Sequence, residues 1–433
     1  MLPPIAYRIR FFGKHRARSI MSRRLGDAEG LRVKLGWAGK PTRYRSDRTG
    51  SMITAPRHLR DAMERYDAIV IGGGLVGSAI AYGLVRGGLR VALLDEGDVA
   101  YRASRGNFGL VWVQSKGDGA PHYQRWTRRS ADEWSVLAAG LLQRTGISVG
   151  HERPGGVHLC LGEAELEARG ALMERMRVQS GNFGFEYRML DHHELADMLP
   201  GVGPSVIGAS WTAYDGHANP LNLLHALHKG FVEQRGVYIP NTTVGTAKAA
   251  PGDFRISIGD GEIGAPKVVL AAGLGNAGLA PLFGLSAPVR PQRGQILVTE
   301  RAQHVLPMPT TTIRQTVEGG IMLGDSQEDV GFDTGQKPAV MRMIAHRAVL
   351  SFPWLHDLQI VRAWAALRVM PPDGLPIYDQ SERFPGAFTA NCHSGVTLAG
   401  AHANLFAPMV AAGALDPVLD PFSAKRFDVP AAA

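Results

Sequence analysis

The run Ala68-Ile69-Val70-Ile71 leads without a break into Gly72-Gly73-Gly74-Leu75-Val76-Gly77, and this junction constrains the fold more than any other stretch of the chain. A short apolar run that ends in glycine suits a buried parallel strand. The glycines stand at the G-x-G-x-x-G spacing of a dinucleotide-binding turn. After them Ala79, Ile80, Leu84 and Val85 recur at helical spacing, Gly87-Gly88 closes the helix, and Arg90-Val91-Ala92-Leu93-Leu94 reads as a second buried strand. The spacing therefore predicts a βαβ unit. In such a unit Gly72 permits the tight turn, Gly74 lets the backbone approach a pyrophosphate, and Gly77 lets helix and strand pack closely. The helix start, with Leu75 and Val76 in its first turn, offers N–H groups and a positive dipole end to the phosphates. Asp95 ends the second strand, 18 residues beyond Gly77, with Glu96 beside it. An acid at that point accepts hydrogen bonds from ribose hydroxyls and repels a 2′-phosphate, which favours an adenosine cofactor without that phosphate.

With 433 residues the chain is long enough for two connected domains, or for one large α/β unit with an inserted second lobe. A 45% apolar and 20% charged composition excludes a wholly disordered, collagen-like or coiled-coil chain. The net charge of +8 invites a nucleic-acid reading, but the excess sits in the first 60 residues, where 15 Lys and Arg face only Asp27, Glu29 and Asp47. The rest is mildly acidic, and the basic leader carries no recognisable nucleic-acid motif, so no nucleic-acid partner is expected. Ser22-Arg23-Arg24-Leu25-Gly26 resembles a twin-arginine signal but lacks the apolar segment that must follow one. Met63-Glu64-Arg65-Tyr66-Asp67 reads as a natural start, so residues 1–62 are expected to be upstream translation or a disordered extension; a transit peptide or a nucleic-acid arm is the alternative. No apolar run approaches the roughly 18 residues of a membrane-spanning helix, and the expected location is cytoplasmic, either free or peripheral at the inner face of the membrane. Cys160 and Cys392 have neither redox nor zinc-ligand spacing, which argues against a disulfide scaffold or a metal site.

FAD and NAD are separated by features elsewhere. Val268-Val269-Leu270-Ala271-Ala272-Gly273 is another apolar strand that ends in small residues, where a dinucleotide can pass close to the backbone. Asp67 to Glu96, then Arg102-Ala-Ser104-Arg105-Gly106-Asn107-Phe-Gly109, then Val268 to Gly273, together resemble the D-amino-acid oxidase (DAO) family of FAD-dependent oxidoreductases. Ala363-Trp364-Ala-Ala366-Leu367-Arg368-Val-Met-Pro371-Pro-Asp373-Gly374 resembles that family's segment in which an arginine faces the substrate. Cys392-His393-Ser394-Gly395-Val396-Thr397 resembles its last glycine turn and helix under the flavin. A helix starting near Thr397 would aim its positive end at the flavin N1–C2=O edge and stabilise the anionic reduced form. The resemblance spans residues 64–420. Within the family, the wording of Asp95 to Asn107, of Arg293-Gly294-Gln295 to Glu300 and of His393 to Leu398 is most similar to flavin subunits that oxidise opines and hydroxyproline.

The resemblance implies an α/β fold: a Rossmann-like FAD-binding domain, residues 63–150, 211–285 and 363–433, interleaved with an antiparallel-sheet substrate domain, residues 151–210 and 286–362. Gly156 to Leu161, Gln295 to Val298 and Gly320 to Gly324 read as strands of a sheet roofing the flavin. It also implies non-covalent FAD and oxidation of the C–N bond of an amino acid or secondary amine by hydride transfer to flavin N5, giving an imine. The acceptor would be oxygen, a quinone, or a partner flavoprotein or iron–sulfur subunit in a hetero-oligomer. A second reading is an electron-transfer or assembly subunit whose chemistry is shared with partner chains, and a third is a D-amino-acid dehydrogenase that feeds a quinone. The expected cofactor contacts are Gly72, Gly74, Leu75, Val76, Gly77, Asp95, Glu96, Ser104, Arg105, Gly106, Asn107, Gly273, Ser394, Gly395, Val396 and Thr397. Arg368 is the expected carboxylate anchor, because a planar guanidinium pairs with a carboxylate at two points; its alternative is a structural ion pair. His393 stands where relatives carry a second arginine, and substrate contact, flavin contact and packing remain open for it. Arg314 is a weaker candidate on the roof. His192-His193 reads as a solvated helix start, His225 and His228 as ordinary packing, and Asp215 to Pro220 as a cap and turn.

Overall fold

The computed structural model describes residues 63–97, 103–259 and 261–428. The basic leader, with every expectation attached to it, and Arg102 lie outside the described residues.

The strand Ala68–Ile71 pairs in parallel on both sides, with Val91–Leu94 and with Val268–Leu270. It is buried throughout, as an unbroken apolar run requires when a parallel strand is covered on both faces. Val237–Ile239 extends the sheet beyond Val91–Leu94. Ala387–Asn391 extends it beyond Val268–Leu270, and antiparallel Ile377–Gln380 completes an edge, giving six strands. The helices Leu75–Arg86 and Pro220–Glu233 provide the crossovers. Because side chains alternate across a strand, Val70 joins Ile80, Trp126, Phe388 and Phe406 on one face, and Ile69 joins Phe254 and Phe283 on the other. Asn219 caps Pro220–Glu233 by accepting the N–H groups of Leu221 and Asn222 at 3.1 Å, with proline at the first helical position, as the sequence predicts.

The second layer is antiparallel. Ile313–Gln315, Gly320–Leu323, Arg290–Arg301 and Ile360–Met370 form one sheet in that order. Gly156–Cys160, Gly208–Thr212 and Arg188–Asp191 form another. The expected single roof is therefore two sheets, joined by a bridge between Val157 and Thr310 and by a shared core that includes Leu190, Leu297, Ile321 and Phe352. Two expected domain boundaries, 211 and 363, fall inside Gly208–Thr212 and Ile360–Met370. A paired strand belongs to one sheet along its length, so the proposed division moves to the flanking loops. Among the described residues no single helix is long and apolar enough to cross a membrane. The architecture is α/β: a Rossmann-like parallel sheet with an interleaved antiparallel layer. A crevice opens at the carboxyl ends of the parallel strands, where such sheets bind ligands.

Candidate functional site

The turn after Ala68–Ile71 has room for nothing but glycine at two points. Gly72 has φ +109°, and a Cβ there would lie 2.4 Å from the Ala271 carbonyl oxygen. A Cβ at Gly77 would lie 1.8 Å from the Gly72 carbonyl oxygen, so the helix can sit this close to its strand only without a side chain. Ser104 Oγ accepts the Leu75 N–H at 2.9 Å, which ties the segment after the second strand to the helix start. Asp95 accepts the Gly73 N–H at 2.7 Å and the Gly97 N–H at 3.0 Å, so its carboxylate braces the glycine turn from the neighbouring strand.

His228 is nearer to this turn than its helical pattern suggests. Its Nε2 lies 2.8 Å from both the Gly73 carbonyl oxygen and Ser78 Oγ, and its ring packs on Tyr238 with centroids 4.8 Å apart. Burial lowers its pKa and keeps the ring neutral. Asn276 is a second residue that the sequence does not announce. Fully buried, it accepts the Ala272 N–H at 3.0 Å and donates to the Leu270 carbonyl at 3.0 Å and to Asn391 Oδ1 at 2.8 Å, holding the Ala271-Ala272-Gly273 turn. No periodicity marks either residue, since each acts through a segment remote in sequence.

These elements border one cleft of about 1130 Å³, at the upper end of or beyond the roughly 300–1000 Å³ typical of small-molecule pockets. It is lined by Asp95, Glu96 and Arg105, and beside them by the Asn241 to Gly245 loop, where the Thr242 N–H donates to the Asp95 carbonyl at 2.8 Å. It is lined further by Gly72, Gly74, Leu75, Val76, Ser104 and Gly273, and by Asn107, Cys392, His393 and Gly395. Five expected contacts stand behind its wall instead. Gly77 is the close contact of helix and strand, and Gly106 packs on Ala366 while its carbonyl accepts from Trp364 Nε1 at 3.2 Å. Ser394 accepts from the Tyr123 hydroxyl at 3.3 Å, and Val396 is buried with its carbonyl accepting from Trp134 Nε1 at 3.0 Å. Thr397 turns its hydroxyl to the Leu110 carbonyl at 3.1 Å and the Trp112 N–H at 3.2 Å. The helix that follows begins at Ala399, two residues later than expected.

Arg368 does not line the cleft. On Ile360–Met370 its neighbours Leu367 and Val369 do, and strand alternation points Arg368 to the opposite face. There its guanidinium pairs with the Asp325 carboxylate and donates to the Ser326 carbonyl at 2.7 Å, above Gly294. His393 stands where the two faces meet. It lines the cleft, and its Nε2 accepts from Lys116 Nζ at 3.0 Å. Burial, then the charges of Lys116 and Arg368, push the imidazole pKa far down, so the ring is neutral. Burial raises the Cys392 thiol to about 12, so it is no thiolate nucleophile at neutral pH. Arg314 is buried on the roof strand and donates to the Phe108 carbonyl. His225 is exposed, and among the described residues no group of three His, Cys, Asp or Glu is placed to hold a metal ion. His192 bonds the Val206 carbonyl at 2.6 Å, at the start of a helix capped by Asp191.

The profile of the DAO family, described as FAD dependent oxidoreductase, matches residues 67–409. The chain is 45% identical over 365 residues to an opine oxidase subunit from Agrobacterium tumefaciens (strain Ach5), covering 84% of this chain and 98% of that protein. It is 44% identical over 366 residues to the corresponding opine oxidase subunit from Rhizobium meliloti, covering 84% and 99%. Its fold is similar to that of glycine oxidase from Geobacillus kaustophilus, with a TM-score of 0.76 at 24% identity, covering 84% of this chain and 99% of the other. The residues present fit the cofactor of that family: a long cleft, a cradle at Gly72 and Gly74 that side chains would fill, and an acid at the end of the second strand. The chain belongs to the DAO family of FAD-dependent oxidoreductases.

Proposed function

We propose that this FAD-dependent oxidoreductase oxidises the C–N bond of an amino acid or secondary amine that carries a carboxylate, an opine, a proline-like compound or a D-amino acid, to the imine. The observation that carries this reading is the pair of cations, Lys116 and Arg368, gathered around neutral His393, which lines the cleft.

In this reading the FAD is bound non-covalently: the glycine turn and first helical turn take the pyrophosphate, Asp95 and Glu96 the ribose, and Ser104, Arg105, Asn107, Gly273 and Gly395 the remainder. FAD supplies the two-electron acceptor for the hydride lost from the carbon next to nitrogen. The chain's own residues do the orienting. The positive charge beside His393 holds the carboxylate, which fixes the amine-bearing carbon within the crevice. The apolar wall of Leu367 and Val369 keeps that place dry.

The similarity to proteins named as subunits supports assembly in a hetero-oligomer that passes electrons to oxygen, a quinone or a partner flavoprotein or iron–sulfur subunit. A cytoplasmic location, either free or peripheral at the inner face of the membrane, is part of this reading. A tagged chain purified gently from its native cell should bring partner chains with it; recovery alone contradicts the subunit reading. The activity is tested by anaerobic flavin reduction with a panel of opines, prolines and D-amino acids. Bleaching by at least one class is expected, and a flavin that none of them reduces would leave an electron-transfer role in its place.

A further inference from the structure

Lys116 ends a segment fixed at many points. Asp215, fully buried, accepts the N–H groups of Val113 and Gln114, the Gln114 amide at 2.6 Å and the Thr212 hydroxyl at 2.7 Å. Buried Arg169 donates to Ser210 Oγ at 2.7 Å, to Ser115 Oγ and to Gln114 Oε1. Between these anchors Ser115 takes φ +73°, a left-handed conformation that residues with a Cβ rarely adopt. A disfavoured backbone held by a buried network is a way to fix the direction of the next side chain. That next side chain is Lys116.

The charge around Lys116 is unbalanced. Among the described residues no carboxylate is within ion-pair distance of its Nζ; its polar partner is the neutral His393 ring at 3.0 Å. The neighbouring charges come from three segments. Arg368 on Ile360–Met370 is a second cation, Asp325 from the roof is already paired with Arg368, and Cys392 is a protonated thiol. Burial and Arg368 lower Lys116 to about 8, which leaves it mainly an ammonium at neutral pH. His393 lines the cleft; Lys116, like Arg368, does not, but it adjoins the cleft through its bond to His393, and both cations keep part of their surface exposed. A buried cation is stable when paired, and this one is short of a negative charge.

We propose that Lys116, rather than Arg368, supplies the positive charge on which the substrate carboxylate docks, with His393 orienting the ammonium and Arg368 neutralised by Asp325. This rests on the amine-oxidation reading above, but it concerns binding alone.

The test uses the full chain loaded with FAD and titrated with propionate, a carboxylate without an oxidisable amine, with calorimetry and the flavin spectrum as readouts. K116M should lose about 30-fold or more in propionate affinity, the loss that follows removal of one partner of a buried charge-assisted pair, while its flavin content is unchanged. K116R should stay within a few-fold of the parent. In the parent, affinity should be flat below about pH 8 and fall above it as Lys116 loses its proton; K116R should move that fall to higher pH. If K116M fails to hold FAD, the K116R profile decides. Propionate binding that survives K116M, that rises through pH 8, or that is absent from the parent overturns the proposal. A rise through pH 8 would make Lys116 a proton acceptor instead. A parent that binds propionate as described but is reduced by no amine would break the functional reading and leave this one standing.

Discussion

The glycine turn and the cationic cluster around His393 are built in different ways. The glycine turn is set mainly within one stretch, Ala68 to Glu96: Gly77 packs against Gly72, and Asp95 braces Gly73 from 22 positions away. The cationic cluster is assembled from Lys116, Asp325, Arg368 and His393, four segments that meet only in the folded chain. A site made of local contacts tolerates nothing but its own residues, whereas a site made of distant charges depends on how those charges balance. The first should therefore break sharply on single substitutions, and the second should break in ways that a compensating change can mend.

The largest effect is expected at Gly77. Gly77→Val places a side chain where a Cβ would already lie 1.8 Å from a backbone oxygen, and backbone cannot yield as a flexible side chain does. Little soluble yellow protein should be recovered. Gly74→Val meets only Ser104 Oγ, at 2.8 Å, so the chain should fold and lose FAD. Equal behaviour of the two variants in circular dichroism and flavin content would remove the distinction between a packing glycine and a cradle glycine.

Arg368→Ala should come next, with carboxylate affinity down by about 10- to 30-fold and FAD retained, because freed Asp325 then competes for the Lys116 ammonium. The double variant Arg368→Ala/Asp325→Asn should recover most of that loss, since no uncompensated acid remains. Such non-additivity is expected of residues in one charge network. If Arg368 itself grips the substrate, the double variant will bind as poorly as the single one in an anaerobic titration.

His228→Ala should be milder. The Gly73 carbonyl keeps the Ser78 hydroxyl as a donor at 2.9 Å, so FAD affinity should fall about 2- to 10-fold, the worth of one hydrogen bond. Fluorescence titration of the apoprotein with FAD measures it; an unchanged constant would reduce His228 to packing. The smallest effect belongs to deletion of residues 1–62, which should leave flavin content and turnover as they are, because the described residues of the cleft all lie downstream. A large loss of folded protein would refute this.

The same contrast explains what the amino-acid sequence discloses. The βαβ unit, the strand Val268–Leu270 and the acid Asp95 are legible because glycine spacing and apolar runs are local signals. Arg368 is legible as a residue but not as a pair: Asp325 stands 43 positions away, and nothing in its loop marks it as a partner. Lys116 is not legible at all, since its partner His393 lies 277 positions away. Asp215 reads as part of a turn before a helix, yet it is the buried hub of a network, with burial raising its pKa to about 6. Ser394, Val396 and Thr397 carry the wording of a cofactor turn, but the two hydroxyls and the Val396 carbonyl bond to the protein.

The central claim is that the cleft holds FAD and that the charge beside His393 selects substrates by their carboxylate. The most direct measurement is anaerobic titration of the FAD-loaded chain with an amino acid that bleaches its flavin, beside the carboxamide of the same compound. The account predicts bleaching by the acid, with an apparent dissociation constant about 30-fold or more below that of the amide, from the value of a desolvated charge pair. Equal constants for acid and amide would contradict it, whatever the identity of the amine.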